Sequence, residues 1–106
     1  MADGRILIAD DEDGLRWVLE KGFRSAGYQV TAVKDGTTAL GEARSEPFDL
    51  ILLDIRMPGI DGLTLLKQIR DQRPDAQVVI MTAHGTMETA IQAMQQGAYD
   101  YLAKPF

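Results

Sequence analysis

Residues 50–54 are Leu-Ile-Leu-Leu-Asp, four apolar side chains followed directly by a carboxylate. A short apolar run bounded by turn residues is typical of a buried strand, and a turn is indicated here by Met57, Pro58 and Gly59. A carboxylate at the end of such a strand loses hydration, which costs free energy unless charges or hydrogen bonds compensate. The sequence therefore predicts that Asp54 has partners for its charge.

The rest of the chain alternates between strand-like and helix-like periodicity. Strands are predicted at residues 5–9, 28–33, 49–53, 77–82 and 99–103, and helices at residues 14–26, 37–45, 62–72 and 86–96. Short repeats of strand and helix predict a parallel sheet with right-handed crossovers and helices on both faces. The expected fold class is α/β, with a doubly wound five-stranded sheet.

Length and composition limit the possible functions. The chain of 106 residues is long enough for one domain with a modest core of its own. A net charge of −5 argues against direct binding of nucleic acid, which needs a basic patch. The lack of cysteine excludes disulfides, zinc thiolates and thiol nucleophiles, and it fits the cytoplasm. No apolar run approaches the roughly 18 residues that indicate a membrane span.

The apolar faces of the predicted helices indicate which side of each helix packs on the sheet. In the first helix, Trp17 falls nearly opposite Leu19 and is expected to face away from the sheet. The fourth helix is expected to be buried through Met87, Ala90, Ile91 and Met94.

Several predicted strands carry a polar residue at or directly after their carboxyl end. In parallel α/β sheets this is the edge at which ligands bind. These residues are Asp10, Asp11, Asp54, Thr82 and Lys104. Carboxylates from two neighbouring strands repel each other without a cation, and Mg²⁺ is often held by one or two carboxylates together with a phosphate. The pattern predicts a Mg²⁺ site at which an aspartate can act as a nucleophile toward phosphate.

Each of these residues also has a purely structural interpretation. Asp11 or Asp13 is a candidate N-cap of the first helix, and Asp54 alone fits a turn residue. Thr82 fits a strand end and Lys104 fits a solvated surface position. The functional interpretation depends on their convergence at one edge of the sheet.

Four motifs resemble the receiver domain of two-component response regulators. They are residues 6–12, 54–62, 81–84 and 101–106. Residues 16–19 and 54–62 resemble most the nitrogen-regulator subfamily, whose receivers usually precede an ATPase domain that works with the σ54 form of RNA polymerase. The resemblance implies the strand order 2-1-3-4-5 and one receiver domain over residues 1–106, with the family's terminal helix missing.

The resemblance also implies a phosphorylation switch rather than a metabolic enzyme. Asp54 would accept the phosphoryl group, and Mg²⁺ would be held by Asp10, Asp11, Asp54 and the backbone carbonyl of Arg56. Lys104 would pair with the phosphoryl group, and Thr82 and Tyr101 would be the switch residues. A sensor histidine kinase would dock on Leu15, Val18 and the loop near Pro105. The resemblance implies two other partners for this chain, which are its own output domain and a second copy in a homodimer. No direct contact of this chain with nucleic acid or membrane is expected.

Three rival functions remain open from the residues. A haloacid-dehalogenase-like phosphatase needs a second aspartate two residues after the nucleophile, where this chain has Arg56. A flavodoxin has a similar topology but a phosphate loop rich in hydroxyl groups, whereas the first loop here is acidic. A receiver-like interaction module would need neither Mg²⁺ nor phosphate.

Overall fold

A computed structural model of the chain describes residues 4–57, 60–82 and 87–103, with only the backbone of Met87. Strands and helices alternate along it: β1 (Arg5–Ala9), α1 (Asp13–Ser25), β2 (Gln29–Val33), α2 (Gly36–Ser45), β3 (Leu50–Asp54), α3 (Gly62–Gln72), β4 (Gln77–Thr82), α4 (Met87–Gln95) and β5 (Asp100–Ala103). The strands form one parallel sheet in the order β2-β1-β3-β4-β5. The predicted fold class and strand order are confirmed.

The sheet separates two apolar cores. The larger core joins alternate strand residues such as Leu7, Ile51 and Ile80 to buried side chains of α2, α3 and α4. The smaller core contains the opposite strand face, including Ile8 and Leu52, with α1 packed against it. Three helices therefore cover one face of the sheet and α1 lies on the other.

Side-chain caps fix the starts of two helices. The Asp35 carboxylate accepts a hydrogen bond of 2.7 Å from the Thr38 N–H at the start of α2. Hydrogen bonds from the backbone and hydroxyl of Thr38 lower the pKa of the Asp35 carboxyl. Asp61 accepts from the Thr64 N–H at 3.2 Å in the same way at the start of α3.

The start of α1 differs from the prediction. The N-cap is Glu12, which makes no side-chain cap hydrogen bond, and Asp13 is already the first helical residue. The alternative interpretation, in which Asp11 or Asp13 is the N-cap of this helix, is therefore wrong. The carboxylate of Asp13 instead pairs with Arg16, one turn further along the helix.

Four predicted strand ends shift by one residue, and hydrogen bonds account for two of the shifts. The Tyr28 N–H bonds to the Phe23 carbonyl at 3.1 Å and so belongs to the end of α1, which leaves Gln29 to start β2. At β3 the ladder extends further than predicted, because the Ile55 N–H bonds to the Met81 carbonyl at 3.0 Å. Asp54 is therefore the last residue of the strand itself.

The exposed faces of α1 and α4 test the predicted helix orientations. Trp17 is 60% exposed, as expected, and the Lys21 ammonium lies 4.8 Å from its ring centroid. In α4 the prediction is wrong: Ile91 is 50% and Met94 47% exposed, whereas Ala93 is fully buried. The prediction favoured the large apolar side chains, but the buried residue among the described side chains of α4 is a small one. The predicted burial of Met87 lies outside the described side chains.

Among the helices that the structure describes, none combines the length and apolar character that crossing a membrane requires.

The orientation of α4 can be tested by one substitution made in two helices. Ile69→Ala in α3 removes a fully buried side chain and is expected to lower the free energy of unfolding by about 2–5 kcal/mol. Ile91→Ala removes a half-exposed side chain and should change it by no more than about 0.5 kcal/mol. Urea unfolding measures both. Equal losses would place Ile91 in the core, as the sequence pattern predicted.

Candidate functional site

The register of three strands brings the predicted site residues to one edge of the sheet. Ala9 of β1 pairs with Leu53 of β3, so Asp10 and Asp54 are the next residues on two adjacent parallel strands. Asp54 pairs with Met81 of β4, which places Thr82 one residue beyond that pair. The three side chains come together because the carboxyl ends of parallel strands meet at the same edge.

These three polar residues are buried while their neighbour Asp11 is exposed. Asp10 is 0%, Thr82 1% and Asp54 5% accessible to solvent. Carboxylates in such positions need charges or hydrogen bonds to replace lost hydration. The predicted burial of a carboxylate at the end of β3 is confirmed, and β1 supplies a second one.

Asp10 and Asp54 form the same local hydrogen bond. Asp10 Oδ1 accepts from the Glu12 N–H at 2.8 Å, and Asp54 Oδ1 accepts from the Arg56 N–H at 3.1 Å. Each is a carboxylate bonded to the backbone two residues on, which is a turn that aspartate favours. Asp54 is therefore a turn residue and a member of the cluster at once, since one oxygen turns the chain out of the strand while the carboxylate stays at the edge.

Asp10, Asp11 and Asp54 form a cluster of acids that fits a divalent cation. One carboxylate oxygen from each residue lies within 4.8 Å of the other two. Oxygen ligands with negative charge suit Mg²⁺ and Ca²⁺, which are hard cations. The three carboxylates of the predicted ligand set thus lie together, with Asp11 on the solvent side and the other two buried.

Thr82 and Tyr101 lie on the side of the sheet opposite α1. Alternation along β4 puts Thr82 on the same side as Ile80, which belongs to the larger core. Tyr101 pairs with Ile80 in the ladder and is half-buried against that core. By the same alternation, Asp10 and Asp54 belong to the face that α1 covers, so the site spans both faces at the sheet edge.

The remaining predicted residues differ in how far the structure describes them. At the start of α1, Leu15 is half-buried and Val18 is 57% exposed. Arg56 has an exposed side chain, and the role of its carbonyl stays a prediction. Lys104 and Pro105 lie outside the described residues.

Arg16 is a residue of the site that the sequence reasoning did not assign. Its Nη1 donates to the Asp10 backbone carbonyl at 2.7 Å, and its Nη2 pairs with the Asp13 carboxylate. The signal in the sequence was its position one turn after the acidic loop, where an arginine can reach back to that loop. Only the geometry shows that it binds the loop at both ends.

Comparison with known proteins agrees with this geometry. Residues 6–106 match the model of the response regulator receiver domain. The transcriptional regulator NtrC of Salmonella typhimurium is 47% identical over 106 residues, which is 100% of this chain and 23% of that protein. The chain therefore spans about a quarter of the length of the curated relatives it matches.

Two solved structures superpose closely on the chain. A receiver domain from Methanospirillum hungatei JF-1 has a TM-score of 0.95 at 28% identity, covering 99% of this chain and 84% of that one. A response regulator from Burkholderia pseudomallei, solved with a phosphorylated aspartic acid, calcium and citrate, has a TM-score of 0.93 at 34% identity, covering 98% and 61%. With the fold, the strand-end acids and these similarities in agreement, the chain belongs to the response regulator receiver domain family, and among curated regulators it is similar to those named NtrC.

Proposed function

We propose that this domain is a signalling switch in which Asp54 accepts a phosphoryl group from a histidine kinase. The observation that carries the proposal is the cluster of Asp10, Asp11 and Asp54, whose oxygens approach within 4.8 Å at the carboxyl edge of the sheet. A group of acids this close, two of them buried, is costly without a cation. The arrangement suits a site that is completed by Mg²⁺ and a phosphoryl group.

The chemistry is a transfer of one phosphoryl group to a carboxylate. An oxygen of Asp54 attacks phosphorus, the bond from phosphorus to the donor nitrogen breaks, and an acyl phosphate forms. The hydrogen bond from the Arg56 N–H to Asp54 Oδ1 fixes the direction of the carboxylate. Mg²⁺ bound by Asp10, Asp11, Asp54 and the Arg56 carbonyl would offset the negative charge that opposes this attack.

The residues that would respond to the phosphoryl group lie on the sheet face opposite α1. Phosphorylation adds about −1.5 to −2 charges and three acceptor oxygens, and the Thr82 hydroxyl is a donor one register position beyond Asp54. Its movement toward the phosphoryl group would bias an equilibrium that includes Tyr101 and α4. Lys104, the residue after β5, would pair with a phosphoryl oxygen.

The partners follow from the similarities and are part of the proposal. The relatives named NtrC are DNA-binding transcriptional regulators, which supports an output domain in the same protein and a location in the cytoplasm. Residues 1–106 would be the receiver unit, with Leu15, Val18 and the loop near Pro105 as the kinase docking surface. The Burkholderia structure, with its phosphorylated aspartate and calcium, supports the cation and the phosphoacceptor. The domain would turn over no metabolite.

Two glycines pack closely against the loop that follows Asp54. A Cβ at Gly62, the first residue of α3, would lie 2.5 Å from the Cα and the carbonyl oxygen of Ile55. A Cβ at Gly36, the first residue of α2, would lie 2.9 Å from the Ile60 carbonyl oxygen. Each helix therefore contacts this loop closely at a glycine. The contact of α3 is with Ile55, next to Asp54, and the contact of α2 is with Ile60, near the other end of the loop.

A comparison of Gly62→Ala with Gly36→Ala should separate the effect of loop position on phosphorylation from the effect of lost stability. Overpacking is expected to cost about 1–3 kcal/mol in this variant and in Gly36→Ala alike. Only Gly62→Ala moves Ile55, the neighbour of Asp54, so its rate of phosphorylation by acetyl phosphate should fall by about tenfold to a hundredfold. Gly36→Ala should stay within a few-fold of the parent. Similar rates in the two variants would show that the contact with Ile55 does not position Asp54.

Replacing Asp54 tests the proposed function directly. Asp54→Asn keeps the shape and an acceptor oxygen for the Arg56 N–H, but it removes the nucleophilic carboxylate, so acetyl phosphate with Mg²⁺ should add no phosphoryl group. Intact-protein mass spectrometry measures the addition. The matched control is Asp49→Asn, directly before the start of the same strand, where the carboxylate accepts from the Arg5 N–H at 2.9 Å. Phosphorylation of Asp54→Asn at the parent rate would refute the assignment.

A further inference from the structure

The guanidinium group of Arg16 binds both ends of the acidic loop between β1 and α1. Its Nη1 donates to the carbonyl of Asp10, the first residue after β1, at 2.7 Å. Its Nη2 pairs with the carboxylate of Asp13, the first residue of α1. The Arg16 side chain is only 19% exposed, so these contacts are made in a partly desolvated position.

This bridge encloses the two loop residues between its anchors, Asp11 and Glu12. A second hydrogen bond, from the Glu12 N–H to Asp10 Oδ1 at 2.8 Å, ties the loop to the side chain of Asp10. Two of the three clustered acids, Asp10 and Asp11, therefore belong to a segment that Arg16 holds at both ends. Lysine carries its donors on one compact ammonium and has no planar fork, so Arg16→Lys would not keep both contacts in the same geometry.

The charge of Arg16 and its geometry have opposite effects on a bound cation. A positive charge beside the acids repels a divalent cation, so charge alone predicts tighter binding when Arg16 is neutralised. Holding the loop in place predicts the reverse, because free ligands lose conformational entropy when they bind. The direction of the change in affinity therefore distinguishes the two roles.

We propose that Arg16 is a positioning residue that sets the preference of the acidic site for Mg²⁺ over Ca²⁺. The inference rests on the proposed function, which supplies the cation. Mg²⁺ demands near-ideal octahedral geometry at about 2.0–2.1 Å, whereas Ca²⁺ accepts longer and more variable ligand distances. A loop clamped at both ends favours the more demanding ion, and a loosened loop loses affinity for Mg²⁺ first.

The same helix contains a matched control at its other end. Arg24 pairs with Glu20 at 2.8 Å and donates to the Val30 carbonyl at 3.0 Å. It therefore also joins one carboxylate and one backbone carbonyl through its guanidinium. Arg24→Lys makes the same chemical change as Arg16→Lys at a position away from the acids.

The test is calorimetric titration of the protein with Mg²⁺ and separately with Ca²⁺. Arg16→Lys should weaken Mg²⁺ binding by about tenfold to a hundredfold, the range typical of residues that orient metal ligands. It should weaken Ca²⁺ binding much less, so that the ratio of the two affinities falls. Arg24→Lys should leave both affinities at the parent value, and Arg16→Gln should also bind Mg²⁺ more weakly.

A second variant, Asp13→Asn, tests the same bridge in case Arg16→Lys does not fold. Asp13→Asn loosens the other anchor of the bridge at a side chain that is 87% exposed, and it should lower the Mg²⁺ to Ca²⁺ ratio in the same direction. An unchanged ratio in both Arg16→Lys and Asp13→Asn, or tighter Mg²⁺ binding by Arg16→Gln, would overturn the inference while leaving the proposed function intact. A parent protein that binds no Mg²⁺ would overturn both.

Discussion

The site depends on the parallel pairing of β1 with β3. This pairing places Asp10 beside Asp54 where the two strands end. A slip of one residue would exchange the side chains that face the larger core with those that face the smaller core. Leu7, Ile51 and Leu53 are fully buried in the larger core, so hydrophobic burial sets the position of two charged groups. The free energy that the core gains opposes the cost of holding carboxylates at 0% and 5% exposure.

Strand pairing places the acids, but the loops after the strands orient them. Each buried acid accepts a hydrogen bond from a backbone N–H two residues later. The loop after β1 is then held by Arg16, and the loop after β3 is held by close contact between Gly62 and Ile55. Two loops that carry the same turn are thus fixed by different means, one by a charged fork and the other by close packing of the backbone.

The parts of the site that the sequence predicts depend on the hydrophobic periodicity of the elements and on the parallel direction of the strands. Alternating strands and helices give the fold class, and parallel strands bring Asp10, Asp54 and Thr82 to one edge. What the sequence did not reveal depends on side chains that reach across several residues, as Arg16 does toward Asp10. The face of α4 was predicted wrongly because a helical wheel weights large apolar residues, whereas the contact is made by Ala93. Small side chains carry little hydrophobic signal, yet they permit the closest packing.

The orientation of α4 bears on how the proposed switch would transmit its state. Thr82 and Tyr101 share the sheet face on which α4 lies, while Asp54 belongs to the opposite face. A phosphoryl group at the sheet edge would therefore attract the Thr82 hydroxyl from the opposite face, and the effect would reach the face on which α4 packs.

Helix α4 buries Ala93 and leaves the larger side chains of Ile91 and Met94 half exposed. Because apolar burial scales with the area removed from water, a helix anchored through alanine is held less strongly than one anchored through leucine or isoleucine, as α3 is. Among the described side chains, α4 therefore buries less apolar area on this face than α3 does, and the proposed switch would shift α4 at a lower free-energy cost than α3.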